Sequence, residues 1–161
     1  MAALLVAMAG CADPCADVSG SPSLTIAGAD DSGETFEPFE DGAERSLIMG
    51  SQGGMHVWMQ LRLAGLCTAG LDVDRRIETN DAEGELVDVQ RGPLRFVDGP
   101  EPGTLELDAP LTMILCPTTR PVIDQPFRFA VRAEDAEGRV VIERKPFVAV
   151  CTTGTCDLCM P

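Results

Sequence analysis

The sequence predicts an all-β protein, a single antiparallel β-sandwich over residues 35–161. Apolar and polar residues alternate with period two in several short segments, which is the pattern of strands with one buried face. Turn-forming residues separate these segments, and no window shows a sustained 3.6-residue repeat. Twelve prolines further disfavour long helices. We therefore expect roughly eight to ten strands, the number in a common two-sheet sandwich.

Strand patterns of two kinds recur along the chain. Apolar residues alternate with polar ones in three segments, 57–63, 71–77 and 127–131. Two others, 111–116 and 146–151, are more continuously apolar, as strands in a sandwich core are. The number and spacing of these strands resemble those of immunoglobulin-like domains, and the resemblance implies two packed sheets.

One tetrapeptide, Asp-Ala-Glu-Gly, occurs twice, at 81–84 and at 135–138. Each copy lies between two strand-like segments. Asp followed three residues later by Gly is typical of a type I turn that closes a hairpin with a bulge. A duplicated half-domain is one explanation of the repeat, but chance repetition is favoured because Asp and Gly dominate such turns.

The first ten residues are apolar and uncharged and end in small residues, as the hydrophobic region of a signal peptide does. This run is too short to span a bilayer. The tetrad Met8-Ala9-Gly10-Cys11 resembles the lipobox of bacterial lipoproteins, which are cut before the cysteine and acylated on its thiol. The resemblance implies that residues 1–10 are a signal peptide, truncated because no basic residue precedes it. It also implies that Cys11 carries an acyl group such as palmitate, which anchors the protein in the cell envelope at the outer membrane or periplasmic face.

Residues 11–34 are rich in Ala, Asp, Gly, Ser and Pro, which bury too little apolar surface to fold, so they predict a disordered acidic tether. Within it, residues 23–26 predict a short edge strand. The whole chain has 26 acidic and 12 basic residues and a net charge of −14. Phosphate backbones and anionic headgroups repel such a chain. This excludes nucleic acid as a partner and leaves the lipid anchor as the means of membrane attachment.

The cysteine count supports the anchor, because seven is an odd number. Acylation of Cys11 leaves six cysteines, enough for three disulfides in an oxidising compartment. Two of the most apolar strand segments end at Cys116 and Cys151, so we expect these two to form a disulfide between the sheets. The other four are expected to pair with one another, the first two bridging to the last two: Cys15 and Cys67 to Cys156 and Cys159.

A soft-metal site is the first alternative function. The stretch that contains the only His and the only Trp also has three of the seven Met, and thioether sulfur with imidazole is a ligand set for copper. The candidate ligands are Met49, Met55, His56 and Met59. On a strand, however, Met55 and Met59 share one face and His56 lies on the other, so packing in the core is the favoured interpretation. A bulge after Gly54 would be needed to bring them together.

A carboxylate-based hydrolase is the second alternative. Acidic pairs are frequent, among them Asp72 with Asp74 and Asp98 with Glu101, which are also candidates for weak calcium binding at loop ends. In a chain with 26 acids such pairs arise by chance, and a solvated acidic face is the favoured interpretation. No nucleophile elbow, phosphate-binding loop or other cofactor motif is present. The sequence therefore predicts a non-catalytic binding or structural module, with an envelope protein or a glycan as partner and no cofactor.

Overall fold

The computed structural model describes residues 15–16, 18–29, 35–51, 53–116, 120–152, 154, 156 and 159. This part of the chain contains eleven strands and no helix that is long and apolar enough to cross a bilayer. The strands are β1 (Ser23–Gly28), β2 (Ala43–Ser46), β3 (Ile48–Met49), β4 (Met55–Ala64), β5 (Asp72–Thr79), β6 (Leu86–Gln90), β7 (Phe96–Asp98), β8 (Thr104–Leu107), β9 (Leu111–Cys116), β10 (Gln125–Glu134) and β11 (Val140–Val150). The predicted all-β class is confirmed.

The first sheet is built around β4. β1 and β3 pair with one side of β4, β8 and β9 pair with the other side, and β7 pairs with β8. All of these pairings are antiparallel. β4 has hydrogen-bonded neighbours on both sides and is therefore an internal strand of this sheet. Its side chains alternate between the two faces of the sheet.

The second sheet has the strand order β2-β11-β10-β5-β6, with the long β10–β11 hairpin near its centre. β2 pairs in parallel with β11, so the predicted purely antiparallel sandwich is wrong at this edge. The chain passes from β1 in the first sheet to β2 in the second and returns to the first sheet at β3. Since β2 is not joined to β11 by a hairpin, no tight turn imposes an antiparallel direction on it.

One apolar core lies between the two sheets. Val57, Met59 and Leu61 of β4 are completely buried, as the alternation of the sequence predicts. From the second sheet, Phe127 and Phe147 join the same core, with ring centroids 5.9 Å apart. Burying one large apolar side chain contributes about 1.5–3 kcal/mol. The alternating residues of the central strands therefore hold the sheets together.

Side chains close the edge where β6 of the second sheet meets β9 of the first. The Asp88 carboxylate accepts a hydrogen bond from the backbone N–H of Ile114 at 3.1 Å, and the Gln90 amide donates to the carbonyl oxygen of Thr112 at 2.6 Å. Behind them, the buried Arg75 donates to the carbonyl of Gln90 at 3.4 Å. Burial lowers the pKa of Arg75, and nearby carboxylates oppose that shift. This edge is therefore not free to pair with another strand.

The sandwich begins earlier than the predicted boundary at residue 35. β1 pairs with β4 along its whole length, from Ser23 opposite Ala64 to Gly28 opposite Met59. Its Leu24 side chain is buried in the core. The short edge strand predicted within the tether is therefore present and belongs to the domain. A composition averaged over residues 11–34 hides it because the strand is only six residues long.

The predicted number of disulfides is confirmed, but the predicted pairs are wrong. The three bonds are Cys15–Cys67, Cys116–Cys159 and Cys151–Cys156. β1 runs antiparallel to β4, so the chain before β1 lies beside the chain after β4, which brings Cys15 to Cys67. Cys151, beyond the end of β11, bonds to a cysteine only five residues later, which leaves Cys116 to the last cysteine of the tail.

The disulfides mark the two ends of the sandwich. The Cys15 end contains the Cys15–Cys67 bond, the segment that follows β4, and the β7–β8 and β10–β11 turns. The Cys116 end contains the other two disulfides together with the β3–β4 and β5–β6 turns. Each end is therefore closed by at least one covalent bond.

Both copies of the repeated tetrapeptide form hairpin turns, as predicted. Residues 81–84 lie between β5 and β6, and residues 135–138 lie between β10 and β11. The glycine of each copy has a positive φ, 59° at Gly84 and 78° at Gly138, a conformation that side chains other than hydrogen rarely allow. The two turns differ in what their aspartates contact.

Four hydrogen bonds meet at the buried carboxylate of Asp135. It accepts from the backbone N–H groups of Cys67 (3.1 Å), Glu137 (3.1 Å) and Arg139 (3.0 Å) and from the Arg139 guanidinium (2.7 Å). Burial acts to raise the pKa of Asp135, but the bonds from Cys67 and Arg139 outweigh it and hold the pKa below its ordinary value. Asp135 thereby ties the β10–β11 turn to the segment that follows β4.

Asp135→Asn is expected to lower the urea midpoint of unfolding, because an amide places N–H groups where the carboxylate accepts on both oxygens. Asp81→Asn is the matched control, since Asp81 begins the same tetrapeptide but is exposed. We expect a clearly smaller shift for the control. Equal shifts of the urea midpoint in the two variants would mean that the loss of stability comes from the turn alone and not from the hydrogen bond to Cys67.

Candidate functional site

The outer face of β4, on the side away from the core, carries the row His56, Trp58, Gln60 and Arg62. Successive side chains of a strand point to opposite faces, so these four alternate with the core residues. The row contains the only His and the only Trp of the chain. The rings of His56 and Trp58 are neighbours, with centroids 5.8 Å apart. His56 and Gln60 are buried although they face outward, so other groups cover part of this face.

Two polar atoms of this row are buried without a hydrogen-bond partner among the described residues, Nε2 of His56 and Oε1 of Gln60. Such an atom costs about 1–3 kcal/mol, and most buried polar atoms in proteins are paired. Burial lowers the pKa of His56, so its imidazole is neutral at pH 7. The row therefore offers an acceptor at Gln60 and a donor or acceptor at His56, on either side of Trp58.

A cleft of about 220 Å³ opens beside Trp58. We call it the Trp58 cleft; besides Trp58 it is lined by Ala29, Glu37, Glu44, Arg45, Ser46 and Ile48. These residues provide two carboxylates, one guanidinium and one hydroxyl around an aromatic ring. Tryptophan combines a large apolar face with a polar edge. The cleft therefore suits a polar ligand that has one apolar face.

Arg45 is held in the wall of the Trp58 cleft. Its guanidinium donates to the carbonyl oxygen of Ala29 at 2.7 Å and to Oε2 of Glu37 at 3.1 Å, and it lies 5.2 Å from the ring centroid of Phe39. Gly28 leaves the space for it, since a Cβ at Gly28 would lie 2.1 Å from Nη2 of Arg45. Glycine at this position is therefore required by close approach, because its φ is not positive.

A second arginine holds the other end of the row. The Arg62 guanidinium lies 4.1 Å from the ring centroid of Phe36 and forms an ion pair with Glu106 of β8. The cation and the ring attract each other through the negative face of the aromatic system. The outer face of β4 is therefore positioned by contacts with β8 on one side and with the segment after β1 on the other.

The structure does not bring the predicted soft-metal ligands together. Met55 and Met59 face the core and are completely buried, His56 lies on the outer face, and Met49 is exposed opposite Met55 in the β3–β4 pairing. The β4–β9 register does shift between Met55 and His56. The extra residue, Leu115, belongs to β9, so the alternation along β4 is kept.

The predicted acidic pairs lie in two different parts of the sandwich. Asp72 and Asp74 are on β5, where Asp74 forms an ion pair with Arg76 at 3.1 Å. Asp98 and Glu101 line an open cavity of about 520 Å³ at the Cys15 end. Among the described residues, no three His, Cys, Asp or Glu side chains lie close enough together to hold a metal ion.

Sequence reasoning missed Gln60, Arg45 and Gly28 as parts of a site. Gln60 could have been found, because it alternates with the core residues of β4 and is two residues from Trp58. Arg45 and Gly28 carry no comparable signal. Their contact joins β1 of the first sheet to β2 of the second, and periodicity within one strand contains no information about it.

Comparisons with protein-family models and with curated proteins find no match for this chain. The predicted signal peptide and its acylation site, Cys11, lie outside the described residues. The functional argument therefore rests on the chain's own residues and their geometry.

Gly28→Ala is expected to displace the Arg45 guanidinium, because the new methyl group would overlap it. Loss of hydrogen bonds from a charged donor predicts a fall of about 1–3 kcal/mol in the free energy of unfolding. The emission of Trp58, the only Trp, should report the change in the cleft. In a double-mutant cycle, Gly28→Ala should lower the free energy of unfolding little further once Arg45→Gln is present. Additive losses of stability would show that Gly28→Ala acts on a contact other than the one with Arg45.

The lowered pKa of His56 predicts that the protein loses stability in mild acid. Its folded-state pKa is lowered below the ordinary value of about 6.5, so the unfolded chain binds the proton first as the pH falls. Stability is therefore complete above about pH 6.5 and declines as the pH falls toward the folded-state pKa. We expect the urea midpoint of the wild type to fall over this window and that of His56→Phe to change less. If the urea midpoints of the two proteins change equally with pH, groups other than His56 cause the loss of stability.

Proposed function

We propose that this protein is a lipid-anchored module of the bacterial cell envelope, attached through an acyl group on Cys11. It acts by binding a partner, without catalysis. The pairing of the cysteines carries the proposal. Three disulfides use six of the seven cysteines, and Cys11 is the one that none of them includes. A thiol left over in a disulfide-bonded protein requires another role, and the lipobox-like tetrad that ends at Cys11 indicates acylation.

The disulfides also support the compartment. Three bonds in one domain are typical of proteins that fold in the periplasm or outside the cell, since the cytosol keeps thiols reduced. The net charge of −14 opposes direct adsorption to anionic lipid headgroups. Attachment to a membrane would therefore depend on the acyl group.

The Cys15–Cys67 bond gives such an anchor a short reach. Cys15 follows Cys11 by four positions, and four extended residues span at most about 14 Å. Acylation would hold the Cys15 end of the sandwich close to the bilayer and direct the Cys116 end away from it. The long axis of the sandwich would then point away from the membrane, and the outer faces of both sheets would be exposed along its sides.

The Trp58 cleft supports the binding part of the proposal. It is lined by residues of both sheets beside Trp58, and attachment of the domain by its Cys15 end would leave it accessible. The aromatic ring of Trp58, the carboxylates of Glu37 and Glu44 and the hydroxyl of Ser46 suit a ligand with hydroxyl or amide groups on one side and an apolar face on the other. Envelope glycans have this chemistry.

Cys11→Ala is expected to release the protein from the membrane fraction of the bacteria that produce it. The wild type should remain with the membranes after a high-salt wash, because an acyl chain is held by the hydrophobic effect and not by charge. A Cys11→Ala protein that still pellets after the wash contradicts the anchor.

The short reach is tested with the double variant Cys15→Ser, Cys67→Ser. Opening this bond lengthens the connection between Cys11 and the sandwich, so added protease should release the domain from membranes faster. The matched control is Cys151→Ser, Cys156→Ser at the other end, which should leave the rate of release unchanged. Trp58 emission checks that each variant is folded. Equal release of both variants would contradict attachment at the Cys15 end.

A further inference from the structure

The outer face of the second sheet places four arginines around one alanine. Ala130 of β10 lies directly opposite Arg76 of β5 on one side and Arg144 of β11 on the other. Arg128 and Arg132 are two residues before and after it along β10, so they point to the same face. Residues directly opposite each other have Cβ atoms about 4.5–5.5 Å apart. Three of them, Arg76, Arg132 and Arg144, line the space above Ala130, and Arg128 lies beside it.

This space is a dimple of about 80 Å³. Arg76, Arg132 and Arg144 contribute to its walls together with Glu78, whose carboxylate is paired with Arg128, and Ile142 forms an apolar rim on one side. A water molecule in the liquid occupies roughly 30 Å³. The dimple is therefore large enough for a group of a few heavy atoms, such as an oxyanion.

The charges around the dimple do not cancel. Three of the arginines have carboxylate partners: Arg128 with Glu78 at 2.9 Å, Arg76 with Asp74 at 3.1 Å, and Arg132 with Glu134. Arg144 is exposed and forms no ion pair with any residue that the structure describes. Four positive charges against three negative ones leave a net charge of +1 on this patch of a chain that carries −14.

Ionic screening weakens the repulsion between an anion bound at this patch and the acidic remainder of the chain. At physiological ionic strength the Debye length is about 8 Å, so an anion above Ala130 responds mainly to the guanidinium groups around it. Each guanidinium carries five N–H donors in a planar fork that matches a pair of anionic oxygens. Arg144 has all of its donors free of carboxylates, and the other three use only some of theirs.

We propose that this dimple binds a phosphate group, either free or carried by an envelope glycan. Three guanidinium groups approach it from different directions, and a tetrahedral phosphate offers oxygens to all three, whereas a planar carboxylate offers two. The exposed Ile142 beside it provides apolar contact for the carbon part of a phosphorylated sugar. The proposal rests on the binding role proposed above, for which it names a ligand, but it does not depend on acylation of Cys11.

The test is a calorimetric titration of the full chain with inorganic phosphate at constant ionic strength. We expect saturable binding by the wild type and an affinity about tenfold or more lower in Arg144→Gln, which loses charge-assisted hydrogen bonds. Arg95→Gln is the matched control. It removes the same charge from an exposed arginine that pairs with Asp108 outside this patch, and its affinity should stay close to that of the wild type.

A second variant separates the dimple from diffuse charge attraction. Ala130→Leu fills the floor and keeps all four arginines, so it should also abolish phosphate binding. Wild-type affinity in Ala130→Leu, or equal weakening in Arg95→Gln and Arg144→Gln, would overturn the proposal. Absence of saturable binding by the wild type would also overturn it.

Two further measurements identify the source of the phosphate and separate the two proposals. Glucose 6-phosphate that binds tighter than inorganic phosphate, and loses this advantage in Ile142→Ser, supports a glycan source; equal affinities support free phosphate. The Cys11→Ala protein should bind phosphate like the wild type. A failed membrane assay with intact phosphate binding would therefore reject the anchor alone.

Discussion

The alternation of side chains along β4 is the constraint on which both the core and the candidate site depend. Its neighbours on both sides set its register, and a slip by one residue would place His56 and Gln60 in the core and Met59 outside. The apolar face of β4 therefore determines where its polar face lies. Trp58 is held beside a cleft because Met59 and the other core residues of β4 are buried.

The covalent bonds extend this constraint to both ends of the sandwich. In a chain-entropy description, closing the 52-residue loop between Cys15 and Cys67 contributes about 4 kcal/mol, against about 2 kcal/mol for the five-residue loop after Cys151. The buried carboxylate of Asp135 reinforces the Cys15 end by bonding to the backbone of Cys67. The Cys15 end is therefore fixed both covalently and by hydrogen bonds.

Arginines lie beside both candidate binding sites of this acidic chain. Arg45 and Arg62 flank the row on β4, and the arginines around Ala130 occupy the middle of the second sheet. The carboxylates of the Trp58 cleft outnumber its guanidinium group, whereas the patch around Ala130 is net positive. A ligand with negative groups is therefore attracted to the second of these sites. Electrostatic complementarity of this kind determines where a partner binds more than how tightly it binds.

The sequence by itself determined which residues of the main strands face the core, because that depends on a local period of two. It also indicated the approximate number of strands, although the structure has eleven and not eight to ten, and, with Cys11 set aside, the number of disulfides. Only the tertiary structure decided the cysteine pairs, the parallel direction of β2, the fit of Arg45 against Gly28 and the four arginines around Ala130. Each of these depends on which strands become neighbours, and that is decided by packing between residues far apart in the chain.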